Sequence, residues 1–296
     1  MPIQMRRRAR RAAVVIGAVI VATFSAPAAF AATGAVYGGS THAGDAIVLR
    51  ADAAAKQLKS AVLATDAACS DGMNFPLSFA LTTAKPEPGF VPDADTLSMS
   101  RNGKGRFSGV QLASYNLGDQ SAAAVTSLSG TLKKGRASGV LSTQITILDN
   151  ATGNVAVTCT TGSVHWSATR APGRVYGGAT SQDSPIVMRF EPAKHRLSDV
   201  ILDWDAPDCQ PDGYYHTWDH FLALPVKAGR WGMRFDQTYD AASDGSKLTI
   251  AYDLGGTLKR STGRGVFQAA TTWRDASGAT QRTCDSGRVT FAATTG

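Results

Sequence analysis

The stretch richest in groups that could do chemistry runs from Asp203 to His220, DWDAPDCQPDGYYHTWDH. It holds five carboxylates (Asp203, Asp205, Asp208, Asp212, Asp219), two histidines (His216, His220) and four aromatics (Trp204, Tyr214, Tyr215, Trp218). Flat aromatic faces stack on the apolar face of a sugar ring, while carboxylates and an amide accept hydrogen bonds from its hydroxyls. That chemistry makes Trp204, Asp205, Gln210, Tyr214, Tyr215 and Trp218 the candidate ligand-binding residues. The competing structural account is that Trp204 and Trp218 close one end of a core over a disulfide and the aspartates cap turns.

Two further chemistries are weighed on the same stretch. His216 and His220, four apart with Asp219 between them, would share one side of a helix and could hold zinc. The zinc-hydrolase pattern needs Glu within a long helix, and Gly213 with the adjacent tyrosine pair does not suggest one. Asp205, Asp208 and Asp212 could instead supply oxygens to calcium. Asp203 and Asp205 would lie on one face of an extended strand, as a general acid and base on a glycosidic bond require. No metal, cofactor or catalytic residue is assigned from these patterns. G-x-S-x-G, S-x-x-K, G-x-G-x-x-G, C-x-x-C and a phosphate-binding glycine loop are all missing from the sequence.

These residues belong to the second of two similar stretches. Val36 to Arg50, VYGGSTHAGDAIVLR, returns at Val175 to Arg189 as VYGGATSQDSPIVMR, identical at eight of fifteen positions without a gap. That is the signature of an internal repeat. The ends realign as well: Gly130-Thr131-Leu132-Lys133 matches Gly256-Thr257-Leu258-Lys259, Thr158-Cys159 matches Thr283-Cys284, and Trp166 stands where Phe291 does. The expected division is a signal peptide over 1–31, one β-module over 33–170, a linker at 171–174 and a second module over 175–296. The linker, Ala171-Pro172-Gly173-Arg174, is short and broken by Pro-Gly, so the modules should touch.

Within each copy the apolar runs are short. Ile47-Val48-Leu49 and Ile186-Val187-Met188 read as buried strands, followed by strands from Leu58 to Leu63 and from Leu197 to Leu202. Ala51 to Lys59 has a helical composition, but its counterpart Phe190 to Arg196 carries Pro192, so a turn is expected in both. Copy one then has a loop with Pro86, Pro88 and Pro92 and a hairpin turn at Asn102-Gly103, whereas copy two has a turn at Asp244-Gly245. Turns from Asp149 to Gly153 and from Asp275 to Gly278 separate the closing strands, and the sequon Asn150-Ala151-Thr152 falls in the first of them. The fold class is therefore all-β, two tandem homologous antiparallel β-sandwich or β-barrel domains with one disulfide each. Tyr37 and Tyr176 are expected to pack with their hydroxyls tied to backbone, and Arg50 and Arg189 to emerge into solvent at strand ends.

Export frames the rest. Arg6, Arg7, Arg8, Arg10 and Arg11, an apolar run from Ala12 to Phe24 and the small residues around Ala29-Phe30-Ala31 make a secretory signal peptide. Its removal takes five of the 30 basic residues and leaves 25 against 23 acidic ones, a mature charge of +2. A chain so nearly neutral, with no Lys/Arg cluster, is not expected to bind nucleic acid, and no membrane span is expected after cleavage. Cys69, Cys159, Cys209 and Cys284 are an even set in an exported chain. One bridge within each copy is the simplest of three connectivities.

The openings Tyr37-Gly38-Gly39-Ser40-Thr41 and Tyr176-Gly177-Gly178-Ala179-Thr180, with the closings Cys159 to Gly162 and Cys284 to Gly287, carry a resemblance. The chain resembles the uncharacterised secreted tandem-repeat β-domain proteins of high-GC Gram-positive bacteria over nearly its whole mature length. The resemblance implies export and β-structure and no activity. The reading that follows is a secreted, extracellular, non-enzymatic binding protein whose second copy meets a polysaccharide or another cell-envelope component. The alternatives are a secreted hydrolase using carboxylates within 203–219 and a structural or inhibitory protein acting by protein contact.

Overall fold

The computed structural model describes residues 34–52, 58–82, 105–116, 119–133, 135–211, 213–241 and 244–295. The expected signal peptide, the Pro86–Pro92 loop, the Asn102-Gly103 turn, residues 53–57 of the first turn and Asp212 lie outside the described residues. The chain forms two antiparallel sheets. The first holds β1 (Gly34–Thr41), β2 (Ala46–Asp52), β3 (Leu58–Cys69), β4 (Asn74–Thr82), β5 (Arg106–Asn116), β6 (Gln120–Lys133), β7 (Arg136–Asp149), β8 (Val155–Thr160) and β9 (Val164–Thr169). The second holds β10 (Arg174–Thr180), β11 (Pro185–Glu191), β12 (Arg196–Ala206), β13 (Asp208–Gln210), β14 (Tyr215–Pro225), β15 (Arg230–Asp240), β16 (Lys247–Leu258), β17 (Thr262–Arg274), β18 (Thr280–Asp285) and β19 (Val289–Thr294).

Both sheets follow one strand order, 4-3-2-1-9-7-6-5 in the first and 14-12-11-10-19-17-16-15 in the second. In each, a short strand closes the ladder into a circuit: β8 pairs with both β3 and β7, and β18 with both β13 and β17. The result is a rolled sheet, closed like a barrel at one end and opening into two facing flaps elsewhere. The reason is visible in the strand patterns. Along β6 the side chains of Ala122, Ala124, Thr126 and Leu128 are buried in alternation with more exposed neighbours, as one covered face demands.

The cysteines sit where the circuit closes. Cys69 lies opposite Cys159 across β3 and β8, and Cys209 opposite Cys284 across β13 and β18. Both pairs are bonded, with sequence separations of 90 and 75. Only two residue pairs join β3 to β8, so the bridge clasps the shortest ladder of the circuit. Closing loops of that length stabilises each fold by about 4.5 kcal/mol on the chain-entropy estimate.

The continuous apolar runs of β1, β2, β10 and β11 have a different cause. Their inward side chains, such as Tyr37, Ile47 and Leu49, join the core of their own sheet. Their outward ones, Val36, Val48, Val175 and Val187, join Val62 of β3 and Ile201 of β12 in a third core between the two sheets. The contact is reciprocal. A Cβ on Gly38 would stand 2.5 Å from Val187 Cγ1 and 2.9 Å from Val175 Cγ1, and one on Gly177 would stand 2.5 Å from Val48 Cγ1 and 3.0 Å from Val36 Cγ1. Matching residues meeting across an interface in both directions is what an approximate two-fold axis produces. The repeated Tyr-Gly-Gly opening thus lets one sheet's valines seat on the other's backbone.

The arginines ending the repeat depart from expectation. Arg50 is buried and its guanidinium donates to the Gly177 carbonyl at 2.5 Å. Arg189 donates to the Pro172 carbonyl, Thr169 Oγ1 and the Gly38 carbonyl, and pairs with Asp199 at 3.7 Å. Neither turns out to solvent, because the opposite sheet covers the strand face that each was expected to leave open. Tyr37 and Tyr176 are both buried, and the Tyr176 hydroxyl donates to the Lys259 carbonyl, whereas that of Tyr37 has no hydrogen-bond partner among the described residues.

Candidate functional site

Of the described residues from Asp203 to His220, 203–206 lie in β12, 208–210 in β13 and 215–220 in β14, and alternation along β12 and β14 sends their side chains to two different places. Trp204, Tyr215, Thr217, Asp219 and Phe221 face the interior of the second sheet. Asp203, Asp205, His216, Trp218 and His220 face outward, toward the first sheet or solvent. The expected ligand-binding set of Trp204, Asp205, Gln210, Tyr214, Tyr215 and Trp218 is therefore divided. Trp204 is fully buried against Tyr215 and Phe267 and offers no face at the surface. Trp218 lies over Gly44 of the β1–β2 turn, where any Cβ would collide with its ring. Tyr214 is exposed at the surface, with its phenol held up by desolvation of its inner side and by the nearby charge of Asp205. Gln210 pairs with Thr283 on the closing strand, away from the others.

The outward group forms a polar seam between the sheets. Asp203 is completely enclosed; its Oδ2 accepts from the Ala46 amide at 2.8 Å, while its Oδ1 has no partner among the described residues. Burial pushes its carboxyl well above the usual range, and the charges of Asp45, Asp205 and Asp66 add to the shift. Asp45 is likewise raised by burial, against the opposing hydrogen bond from Thr41 at 2.7 Å. His216 Nδ1 sits 2.7 Å from Asp205 Oδ1, and its Nε2 3.8 Å from Asp66 Oδ1. Burial pulls its pKa down, but the Asp205 hydrogen bond and the charges of Asp205, Asp66 and Asp45 outweigh burial and leave it raised. Asp203 and Asp205 do share a strand face, yet Asp203 cannot reach a substrate there. Among the described residues no group of three or more His, Cys, Asp or Glu is arranged to hold a metal. His216 and His220 share a strand face, not a helix side, and His220 pairs with Asp199 at 2.9 Å.

The inward group opens onto a cleft. No ladder joins β14 to β15, so the circuit's two flaps leave a gap of about 610 Å³ between them. Phe221, Phe235, Tyr215 and Tyr239 line it, with Met233, Gln237 and Asp219. Phe235 stacks on Tyr252 at 4.9 Å between ring centroids, and Phe221 meets both edge-on. Asp219 is the polar centre: Oδ2 accepts from Trp204 Nε1 at 2.6 Å and Oδ1 from the Tyr252 hydroxyl at 2.8 Å. Burial raises its carboxyl to about 6, against the lowering effect of those two hydrogen bonds. Tyr252 is raised in turn by burial and by the Asp219 charge. An open, aromatic-lined cleft with one convergent, perturbed carboxylate has the makeup of a small-ligand site at the mouth of a barrel.

Sequence reasoning grouped Asp219 with the other carboxylates but missed Met233, Phe235, Tyr239 and Tyr252. The signal was present: Trp231, Met233, Phe235, Gln237 and Tyr239 occupy every second position, the period of a strand with one face in a cleft. Comparison of the chain with family models, curated proteins and solved structures finds no match.

Proposed function

We propose that the protein is an exported, non-enzymatic binding protein of two β-modules, and that its ligand, a glycan or another cell-envelope component, enters the cleft between β14 and β15. The observation that carries this reading is the cleft itself, where Phe221, Phe235, Tyr215 and Tyr239 surround the half-buried Asp219. Aromatic faces supply the apolar contact and one anchored carboxylate supplies orientation. The unpaired edges of β14 and β15 add backbone donors and acceptors along the gap. Two cross-strand disulfides fit an extracellular life, and the basic, apolar and small-residue segments at the N-terminus fit a secretory route. The first module serves as the platform against which β12 and β14 are held.

The test is a binding screen of residues 32–296 against bacterial and plant polysaccharides, with product analysis on the same samples. Saturable binding without products, weakened at least tenfold by Phe235→Ala and untouched by Met73→Ala on the exposed surface of the first module, is the expected result. Binding that ignores Phe235→Ala would move the site elsewhere, and released products would make the protein an enzyme.

A further inference from the structure

The cleft has an uncompensated charge, and that narrows its ligand. Both hydrogen-bond partners of Asp219, Trp204 Nε1 and the Tyr252 hydroxyl, are neutral donors. Of the residues lining the cleft the only base is His220, whose Nε2 is engaged 2.9 Å from Asp199 on the outer face. A half-buried carboxylate held by neutral donors, with aromatic rings on either side, is complementary to a cation. The ring faces add cation–π attraction to the ion pair. The rings also have room to accept the body that carries the charge, because Phe235 and Tyr239 stand on the flap opposite Asp219.

Resting on the cleft as the ligand site, the geometry points to an organic cation as the ligand class: an ammonium group seated on Asp219 with its apolar or sugar body between Phe221, Phe235 and Tyr239. The carboxylates and phenols facing this group are Asp219, Tyr215, Tyr239 and Tyr252. Asp219 is the carboxylate among them and is raised to about 6, burial raises the Tyr215 and Tyr252 phenols, and His220 at the cleft's rim is turned to Asp199 on the outer face. Binding of the cation therefore rises with pH through about 6, as the carboxylate ionises.

The experiment titrates the full mature chain with 2-phenylethylamine and with 2-phenylethanol, which differ in charge but little in size, following tryptophan fluorescence and heat. A parallel arm compares a glucosamine trimer with its N-acetylated counterpart. The amine is expected to bind at least tenfold more tightly than the alcohol at pH 7.5. That preference should fall severalfold at pH 5 and vanish in Asp219→Asn, with alcohol binding retained. Preference for the glucosamine trimer over its acetylated form would assign the cation to an amino sugar, and preference confined to phenylethylamine would assign it to a free amine; each supports the class. Equal binding of charged and neutral probes would overturn the cation inference while leaving the cleft as the site. Failure of every probe to bind would overturn both. The pH arm uses the unaltered protein, so the inference stays exposed to refutation if Asp219→Asn does not fold.

Discussion

The two sheets share a strand order and a register, and they differ in what fills the same positions. Where the second sheet buries Trp204, Asp219 and Tyr252, the corresponding register positions of the first hold Thr65, Phe79 and Thr126. The first sheet satisfies its buried hydroxyl locally, with Thr126 and Thr143 3.1 Å apart, and gathers Leu128, Leu141 and Ile145 around them. The second places a carboxylate at the position of Phe79 and supports it with two aromatic donors, one of them Tyr252 at the position of Thr126. Elsewhere the copies conserve volume by exchange: Phe107 stacks on Trp166 in one, and Trp231 on Phe291 in the other, with the larger ring on opposite partners. A shared frame that carries a threonine pair at these positions in one copy and an aromatic-supported carboxylate in the other separates what holds the fold from what is available to a ligand.

The largest test of that shared frame is the clasp. Replacing both cysteines of either pair by serine should cost roughly 4 kcal/mol, slightly more for the 90-residue separation than for 75. Urea unfolding followed separately for each sheet would show whether the two losses are alike. A loss confined to one sheet would mean that the other closes its circuit by side-chain packing alone.

Next comes the contact between sheets. Gly38→Val and Gly177→Val each force a branched side chain into the valines of the opposite sheet, at a cost of about 1–3 kcal/mol. The approximate two-fold relation requires the two costs to be similar, and limited proteolysis at the linker should quicken in both. A harmless Gly38→Val beside a damaging Gly177→Val would break the symmetry of the interface.

The seam separates the copies more gently. Asp45 and Asp203 have as register counterparts Ser184 and Ala64, so one side of the interface carries buried acids and the other carries the Ser78–Ser184 contact at 3.1 Å. Asp45, Asp66 and Asp203 all have folded values above the ordinary 3.8, and His216 has one above 6.5. For each, the stabilising contribution is full below the unfolded value and is lost as pH rises through the folded one. All four therefore act in the same direction, and stability of the joined sheets should fall as pH climbs, from 3.8 upward for the three acids and from 6.5 upward for His216. Asp203→Asn keeps an acceptor for the Ala46 amide and should flatten that slope. A slope unchanged in the variant would remove Asp203 from the account.

Much of this frame was legible in the sequence. The repeated Tyr-Gly-Gly and the even set of cysteines mark themselves by recurrence, and the Asp149 and Asp275 turns act through local geometry. The Asp149 carboxylate accepts from Ala151 and Thr152, and that of Asp275 from Ser277 and Ala279, as their turn signals imply. The burial of Trp204 near the disulfide was one of the two readings the sequence offered, whereas the fates of Arg50 and Trp218 were not legible, because each depends on a surface brought from far along the chain. Trp218 meets Gly44 only once the sheets have docked, and Arg50 reaches Gly177 by the same event. Grouping 203–220 by composition also hid the alternation that sends Asp219 inward and His220 outward.

The finest distinction between the two interiors is electrostatic. Tyr252→Phe removes one of the two donors to Asp219, and Thr126→Val removes a donor to a hydroxyl that does not titrate. A hydrogen bond to an ionised group contributes about 1.5–3 kcal/mol and one between neutral groups about 0.5–1.5 kcal/mol. With Asp219 titrating near 6, the cost of Tyr252→Phe should be about 1 kcal/mol greater at pH 7.5 than at pH 5, whereas that of Thr126→Val should be the same at both. Urea titrations of the two variants at the two pH values measure this difference directly. A pH-independent cost for Tyr252→Phe would mean that Asp219 keeps one protonation state across the range, leaving the two interiors distinguished by shape and not by charge.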